Sequence, residues 1–354
     1  MKRRDLIKLI ASASPLLIGT SNKNLEEYFY NESPNPNVNP EKNRILPRGL
    51  VPGKSKIAIT ATSSPLSTYE MKDAINFINK ENFKYEIGET VKNNNSNYRY
   101  LSASDEDRAL EFMHYIKDDT IDCILCGRGG YGVLRILDKL DFPTIRKNPK
   151  LIIGFSDVTA LISPIFEHTG LITFHGPVAV SSFNQFTQSY FKDVLYSIDK
   201  FKPIEAVVNN SIVVNAGKSE GILKGGNLRM IISTLGTKYE PNFDNSILFL
   251  EDVAEPAYKV DRMLSQLILS KKLDKCNGII FGQFDNLNSR QAFHPGYSFT
   301  IREVIEQLFS NIDIPIMIGF PFGHVKDKLT LPIGIKAEID TSKRSIRILE
   351  RSVI

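Results

Sequence analysis

Leu151-Ile152-Ile153-Gly154-Phe155-Ser156-Asp157-Val158-Thr159-Ala160 reads as an apolar strand that breaks abruptly into a helix. The Leu and Ile run suits a strand buried on both faces. Gly154 permits a tight bend. Asp157 and Thr159 suit a helical first turn, whose free N–H groups and positive dipole end would lie beside the Ser156 hydroxyl. Such a turn exposes a nucleophile and offers it an oxyanion donor. Two partners of the right type come much later: Glu251, closing Ile247-Leu248-Phe249-Leu250, and His324, in Gly319-Phe320-Pro321-Phe322-Gly323-His324.

Around this stretch, strands and helices alternate. Strands are expected at 56–61, 121–126, 151–153 and 171–175, and helices at 67–80, 104–117, 130–139 and 157–168. That rhythm predicts an open parallel sheet covered on both sides, with ligands at the carboxyl ends of its strands. Arg128-Gly129-Gly130 and Ser156 both follow strands directly, so both can line one crevice. Beyond residue 201 short strands dominate: 206–214, 219–224, 246–251, 277–283, 333–340 and 344–350. Helices are expected there near 226–235, 259–271 and 300–310. The reading is an N-terminal α/β domain over 50–200 that carries Ser156, and a smaller β-rich mixed domain over 201–354 that carries Glu251 and His324.

The 354 residues suit two domains, and 42% apolar with 24% charged residues is ordinary globular composition. A net charge of +4 with no basic stripe gives no reason to expect nucleic acid. Of the three cysteines, Cys123 and Cys126 form a C-x-x-C inside an apolar run, with no second pair to complete a zinc site. They read as small core residues. No metal or other cofactor is expected.

Residues 1–20 combine Arg3-Arg4, Lys8 and a short apolar stretch with small residues. This resembles a twin-arginine export signal, which would place the chain in the periplasm with no stable membrane anchor afterwards. The other reading is a basic amphipathic helix kept on a cytoplasmic protein. Residues 21–49, rich in Asn, Pro and Lys, are expected to be a linker, with the fold beginning near Leu50.

Ser156, Glu251 and His324 supply a nucleophile, an orienting acid and a base. Backbone N–H groups of Asp157 and of Gly129 or Gly130 are candidate oxyanion donors. The glycine loop has competing readings: a phosphate cradle, weakened by the absence of a Lys-Ser/Thr pair, or merely a tight turn. Arg128 suits a substrate carboxylate and a structural ion pair equally well. His175 reads as a site-shaping residue, and Asn227 as a cap for a helix starting at Leu228.

Further ordered stretches carry a resemblance. They are Tyr100-Leu101-Ser102-Ala103-Ser104-Asp105 with Arg108, Gly127-Arg128-Gly129-Gly130-Tyr131-Gly132, and Gly154-Phe155-Ser156-Asp157. After them come Phe174-His175-Gly176-Pro177, Gly225-Gly226-Asn227-Leu228, Leu250-Glu251-Asp252-Val253 with Asp261-Arg262, and Phe322-Gly323-His324. From Leu50 to Arg351 the chain resembles the LD-carboxypeptidase family, serine peptidases of the S66 type. The resemblance implies Ser156 as nucleophile, Glu251 as acid and His324 as base. It also implies a flavodoxin-like, class I glutamine amidotransferase-like N-terminal domain, a site between the domains and a homodimer. The implied reaction cleaves the L,D bond that releases terminal D-Ala from murein tetrapeptides. Two alternatives stay open: a microcin-C-type immunity peptidase of the same family, and a muropeptide-binding protein without catalysis. Ala254 stands where the resemblance leads one to expect Gly, and its methyl could trim the groove. An amidotransferase would want Cys at position 156.

Overall fold

The first five strands are β1 (Lys56–Thr60), β2 (Lys84–Ile87), β3 (Cys123–Cys126), β4 (Leu151–Gly154) and β5 (Thr173–His175). They lie parallel in the order β2-β1-β3-β4-β5. This is the flavodoxin-like order, in which the crevice opens where the order reverses between β1 and β3. β3 and β4 are buried at every residue, as strands covered on both faces require. These facts come from a computed structural model that describes residues 39–93, 96–197, 200–284 and 298–354. The expected export signal at 1–20, and the expected linker up to residue 38, lie outside the described residues.

The second sheet uses β6 (Ile204–Val207), β7 (Ile212–Asn215), β8 (Lys218–Asn227), β9 (Ser246–Glu251), β10 (Gly278–Gly282), β11 (Ile316–Phe320), then β13 (Lys336–Asp340) and β14 (Ser345–Ile348). Its order is β6-β14-β13-β8-β9-β10-β11-β7, with β8 to β11 parallel and the flanking strands antiparallel. β9 shows how the sheet is held. Ile247 and Phe249 join a core shared with the first sheet, whereas Leu248 and Leu250 join a second core on the other face.

Helices cover both sheets: α1 (Lys72–Lys80), α2 (Glu89–Lys92), α3 (Asp105–Lys117), α4 (Phe142–Lys147), α5 (Thr159–Thr169), α6 (Gln185–Leu195), α7 (Leu228–Thr234), α8 (Ala257–Leu269) and α9 (Ile301–Phe309). Several of their starts are capped by side chains. Ser104 accepts from the Asp107 N–H at 3.0 Å, and Thr300 and Glu303 form a capping box. Among the described residues, no helix is long and apolar enough to cross a membrane.

Four expectations are corrected. The helix expected over 130–139 is two short 3-10 turns, because Gly130 and Gly132 adopt φ of +108° and +131°, outside the helical region. Residues 39–49 are part of the fold and not linker: Ile45 donates to the Gly170 carbonyl at 2.8 Å, and Gly49 to that of Ile354 at 2.9 Å. A short apolar anchor there was hidden in polar composition. The stretch 206–214, expected as one strand, is β6 and β7, separated by a turn at 209–210. Finally, a division at residue 201 is crossed by the chain. β12 (Leu331–Ile333) leaves the second sheet and pairs antiparallel with β5 at the edge of the first.

Candidate active site

Ser156 sits directly after β4 and before α5, with φ of +64°. A non-glycine residue in the left-handed region stores roughly 1–2 kcal/mol and persists only where its surroundings enforce it. Here the strand and the helix start enforce it, and the side chain is turned out of the sheet end.

Gly129 lies against that side chain. A Cβ added to it would stand 2.6 Å from Ser156 Cβ, 2.7 Å from its Oγ and 3.3 Å from the Asp157 nitrogen. Only a residue without a side chain lets the β3 loop come this close to both the hydroxyl and the helix N-terminus. The loop is fixed from behind. Buried Arg108 donates to the Gly132 carbonyl at 3.0 Å and to Asp105 Oδ1 at 2.6 Å. The Val133 N–H donates to Asp157 Oδ2 at 3.0 Å. The Asp157 side chain is thus buried and structural, with its carboxyl pushed up by burial, so that its contribution to the cleft is its backbone.

The structure brings Ser156, His324 and Glu251 together in a line. His324 Nε2 is 3.1 Å from Ser156 Oγ, and His324 Nδ1 is 2.7 Å from Glu251 Oε2. An ionised carboxylate only accepts, so Nδ1–H donates to Glu251, and Nε2 is left to accept from the Ser156 hydroxyl. Glu251 is wholly buried. Burial pushes its carboxyl up, but the hydrogen bond and charge of His324, the nearby His175 and the Asn227 amide outweigh this and hold it below its ordinary value. The Phe155 ring packs edge-on against the His324 ring at 4.8 Å.

Asn227 proves to be more than a cap. Its Oδ1 accepts from the Met230 N–H at 3.2 Å, as a cap should, while its Nδ2 donates to Glu251 Oε1 and Asp252 Oδ1, both at 3.2 Å. The second role could not be read from sequence, since it depends on β8 and β9 placing Asn227 beside Glu251 in register. Asp252 also accepts from the Arg229 N–H at 3.0 Å and is buried.

An open cleft of about 400 Å³ joins these groups; its walls include Ser64, Arg128, Gly129, Gly130, Ser156, Asn227, Arg229, Asp252 and His324. Arg128 is ion-paired with Glu70 at 3.1 Å and also donates to the Pro65 carbonyl at 3.3 Å. Arg229, Asp252 and Ser64 were not singled out as site residues from sequence. His175 is buried behind the line among Phe155, Phe249 and Phe322, with neither ring nitrogen hydrogen-bonded. Burial pushes it down to about 4. Ala254 is exposed on the turn after β9, with φ of +56°. Among the described residues, no group of three or more His, Cys, Asp or Glu side chains could hold a metal ion.

Comparison with known proteins gives this arrangement a family. The model of the LD-carboxypeptidase N-terminal domain matches residues 57–176, and that of the C-terminal domain matches 220–339. The chain belongs to the LD-carboxypeptidase family. A relative named probable murein peptide carboxypeptidase, from Bacillus subtilis, is 32% identical over 84% of this chain and 92% of its own length. The solved muramoyltetrapeptide carboxypeptidase of Oxalobacter formigenes superposes with a TM-score of 0.73 at 28% identity, over 84% of this chain and 99% of that one. The microcin C7 self-immunity protein MccF, solved with glutamyl sulfamoyl guanosine, superposes at 0.78 with 28% identity, over 87% of this chain and 99% of that one. Within the family models' limits, Ser156 falls in the N-terminal domain and Glu251 and His324 in the C-terminal one.

Proposed function

We propose that the chain is a serine-type carboxypeptidase that releases terminal D-Ala from murein tetrapeptides. The observation that carries this is the line of Ser156, His324 and Glu251 at 3.1 and 2.7 Å, at the bottom of a cleft large enough for a peptide end. The names of the Bacillus and Oxalobacter relatives supply the substrate class.

In this mechanism His324 Nε2 takes the Ser156 proton as Oγ attacks the carbonyl of the penultimate residue. The N–H groups of Asp157 and of Gly129 or Gly130 receive the developing oxyanion; each such donor is worth about 10²–10³ in rate. Glu251 holds the imidazole tautomer and stabilises the imidazolium. The tetrahedral adduct collapses, the C–N bond breaks and His324 returns the proton to the departing D-Ala amine. Water then attacks the acyl-enzyme with His324 again as base, regenerating the Ser156 hydroxyl. The export-like start of the chain supports a periplasmic site of action, and a homodimer is part of the proposal.

The test is D-Ala release from a tetrapeptide ending in diaminopimelate–D-Ala, with wild type beside Ser156→Ala. Release by wild type alone supports the reading; release by the variant removes Ser156 from its role. A second reading, an immunity peptidase acting on a peptide–nucleotide antibiotic, is favoured by the superposition on MccF. The same preparation offered an aminoacyl-sulfamoyl nucleoside separates the two.

A further inference from the structure

Glu251, Asp252 and Glu255 fall within five residues and are 0, 2 and 3% exposed, so the end of β9 and the turn after it bury three carboxyl groups. Of these, Asp252 lines the cleft and the other two are buried behind it, so a peptide that enters with a free carboxylate needs a cation to offset them. Among the described residues, the guanidinium groups lining the cleft are those of Arg128 and Arg229.

The two differ in freedom. Arg128 is tied at two points, Glu70 and the Pro65 carbonyl, and so clamps the loop after β1 to the loop after β3. Arg229 is held firmly only by its backbone, through the 3.0 Å bond from its N–H to Asp252 Oδ2 in the first turn of α7. Its side chain, half exposed, contacts the buried Glu255. Glu255 has a second cation within reach: Lys259 Nζ, one helical turn on, is 3.6 Å from its Oε2. That oxygen has no hydrogen-bond partner of its own. Lys259 can therefore keep Glu255 compensated when the Arg229 guanidinium turns to another anion. A guanidinium forks onto a carboxylate through two parallel bonds, which an ammonium cannot do.

We propose that Arg229 anchors a carboxylate of the substrate in this cleft, with Glu255 and Lys259 as its positioning residues. The inference rests on the peptidase reading above. Two carboxylates of the proposed substrate have the same chemistry: the terminal one of D-Ala and the side-chain one of diaminopimelate.

The experiment is steady-state kinetics of wild type, Arg229→Met and Arg229→Lys on three tetrapeptides. One carries diaminopimelate, one carries lysine in its place, and one carries diaminopimelate with a C-terminal amide. The analogues are used as substrates or as competitive inhibitors. Arg229→Met is expected to raise KM for the first peptide roughly 10- to 100-fold, with kcat changing far less and Arg229→Lys in between. Loss of this effect with the lysine peptide assigns the side-chain carboxylate; loss with the amide assigns the terminal one. Equal KM values in wild type and Arg229→Met overturn the proposal, as does a rise that persists undiminished with both analogues. Since Arg229→Met leaves Glu255 less compensated, the Arg229→Met/Glu255→Gln double variant serves as the folding control and should show the same KM rise. Absence of any D-Ala release by wild type counts against the peptidase reading; normal wild-type turnover with unchanged KM in the variants counts against Arg229 alone.

Discussion

Asn227 Nδ2 lies 3.2 Å from Glu251 Oε1, across the parallel register that pairs these two residues at the carboxyl ends of β8 and β9. The amide is shared with Asp252, so one neutral donor separates two buried carboxyl groups. Asn227→Asp replaces that donor with a third carboxylate. Like charge raises carboxyl pKa values, so the acid limb of kcat/KM should move to higher pH and kcat should fall. An acid limb unmoved in the variant would show that Asn227 does not tune Glu251.

Gly129→Ala places a methyl in the space held by the Ser156 side chain. We expect kcat/KM to drop by about 10² or more, since both the hydroxyl and the adjacent donors are displaced. Thermal unfolding should change by only about 1 kcal/mol, as the crowding is local. Activity within a few-fold of wild type would show that the loop stands further from Ser156 than described.

Ser156→Gly and Ser156→Ala should both abolish turnover but differ in stability. Glycine tolerates the +64° backbone, and alanine does not. Ser156→Gly should be the more stable by about 1 kcal/mol, or roughly 2 °C in melting temperature. Equal melting points would mean that the turn relaxes without the hydroxyl.

His175 supplies a pH prediction. Its ordinary value is 6.5, and burial pushes it down to about 4. Between these values the unfolded chain binds the proton and the folded one does not, so stability rises with pH across that window and is lost on acidification. The full difference is about 3 kcal/mol. His175→Leu should remove that part of the slope and, because neither ring nitrogen is hydrogen-bonded, should cost little at pH 7. Denaturant unfolding at pH 4.5 and 7 measures both; identical slopes in variant and wild type would sink the idea.

Ala254→Gly should stabilise the protein by about 1 kcal/mol with activity retained. The residue is exposed on a turn at φ +56°, where a methyl is strained. A lower melting temperature would show that the methyl makes a contact of more worth than the strain.

The interior strands were legible because burial on both faces demands apolar runs: β3, β4, β9 and β10 all read as such. The edge was not. β2 is Lys84-Tyr85-Glu86-Ile87, polar enough at a sheet margin to escape notice. β11 was missed too, its Met-Ile-Gly-Phe run read only as a lead into the His324 loop. The Asn184-capped α6 leaves only a weak mark in the sequence, because its apolar residues are spread among Gln, Ser and Lys. Ser156 was visible because an abrupt strand-to-helix turn leaves a local mark. Glu251 and His324 leave no local mark beyond their residue types, and their roles rest on the resemblance; their meeting with Ser156 depends on two sheets and a register no local pattern records. The bond from Asn227 to Glu251 depends on that same register, so only its capping role could be read from the sequence.

The route of the chain past His324 ties the site to the edge of a sheet. β11 fixes residues 316–320 in the second sheet and β12 fixes 331–333 in the first, so the segment bearing His324 spans the two. Under the proposed mechanism, detachment of β12 from β5 alone would part the base from the Ser156 hydroxyl, and local opening of that one edge strand would silence the site while the remaining strands stay paired.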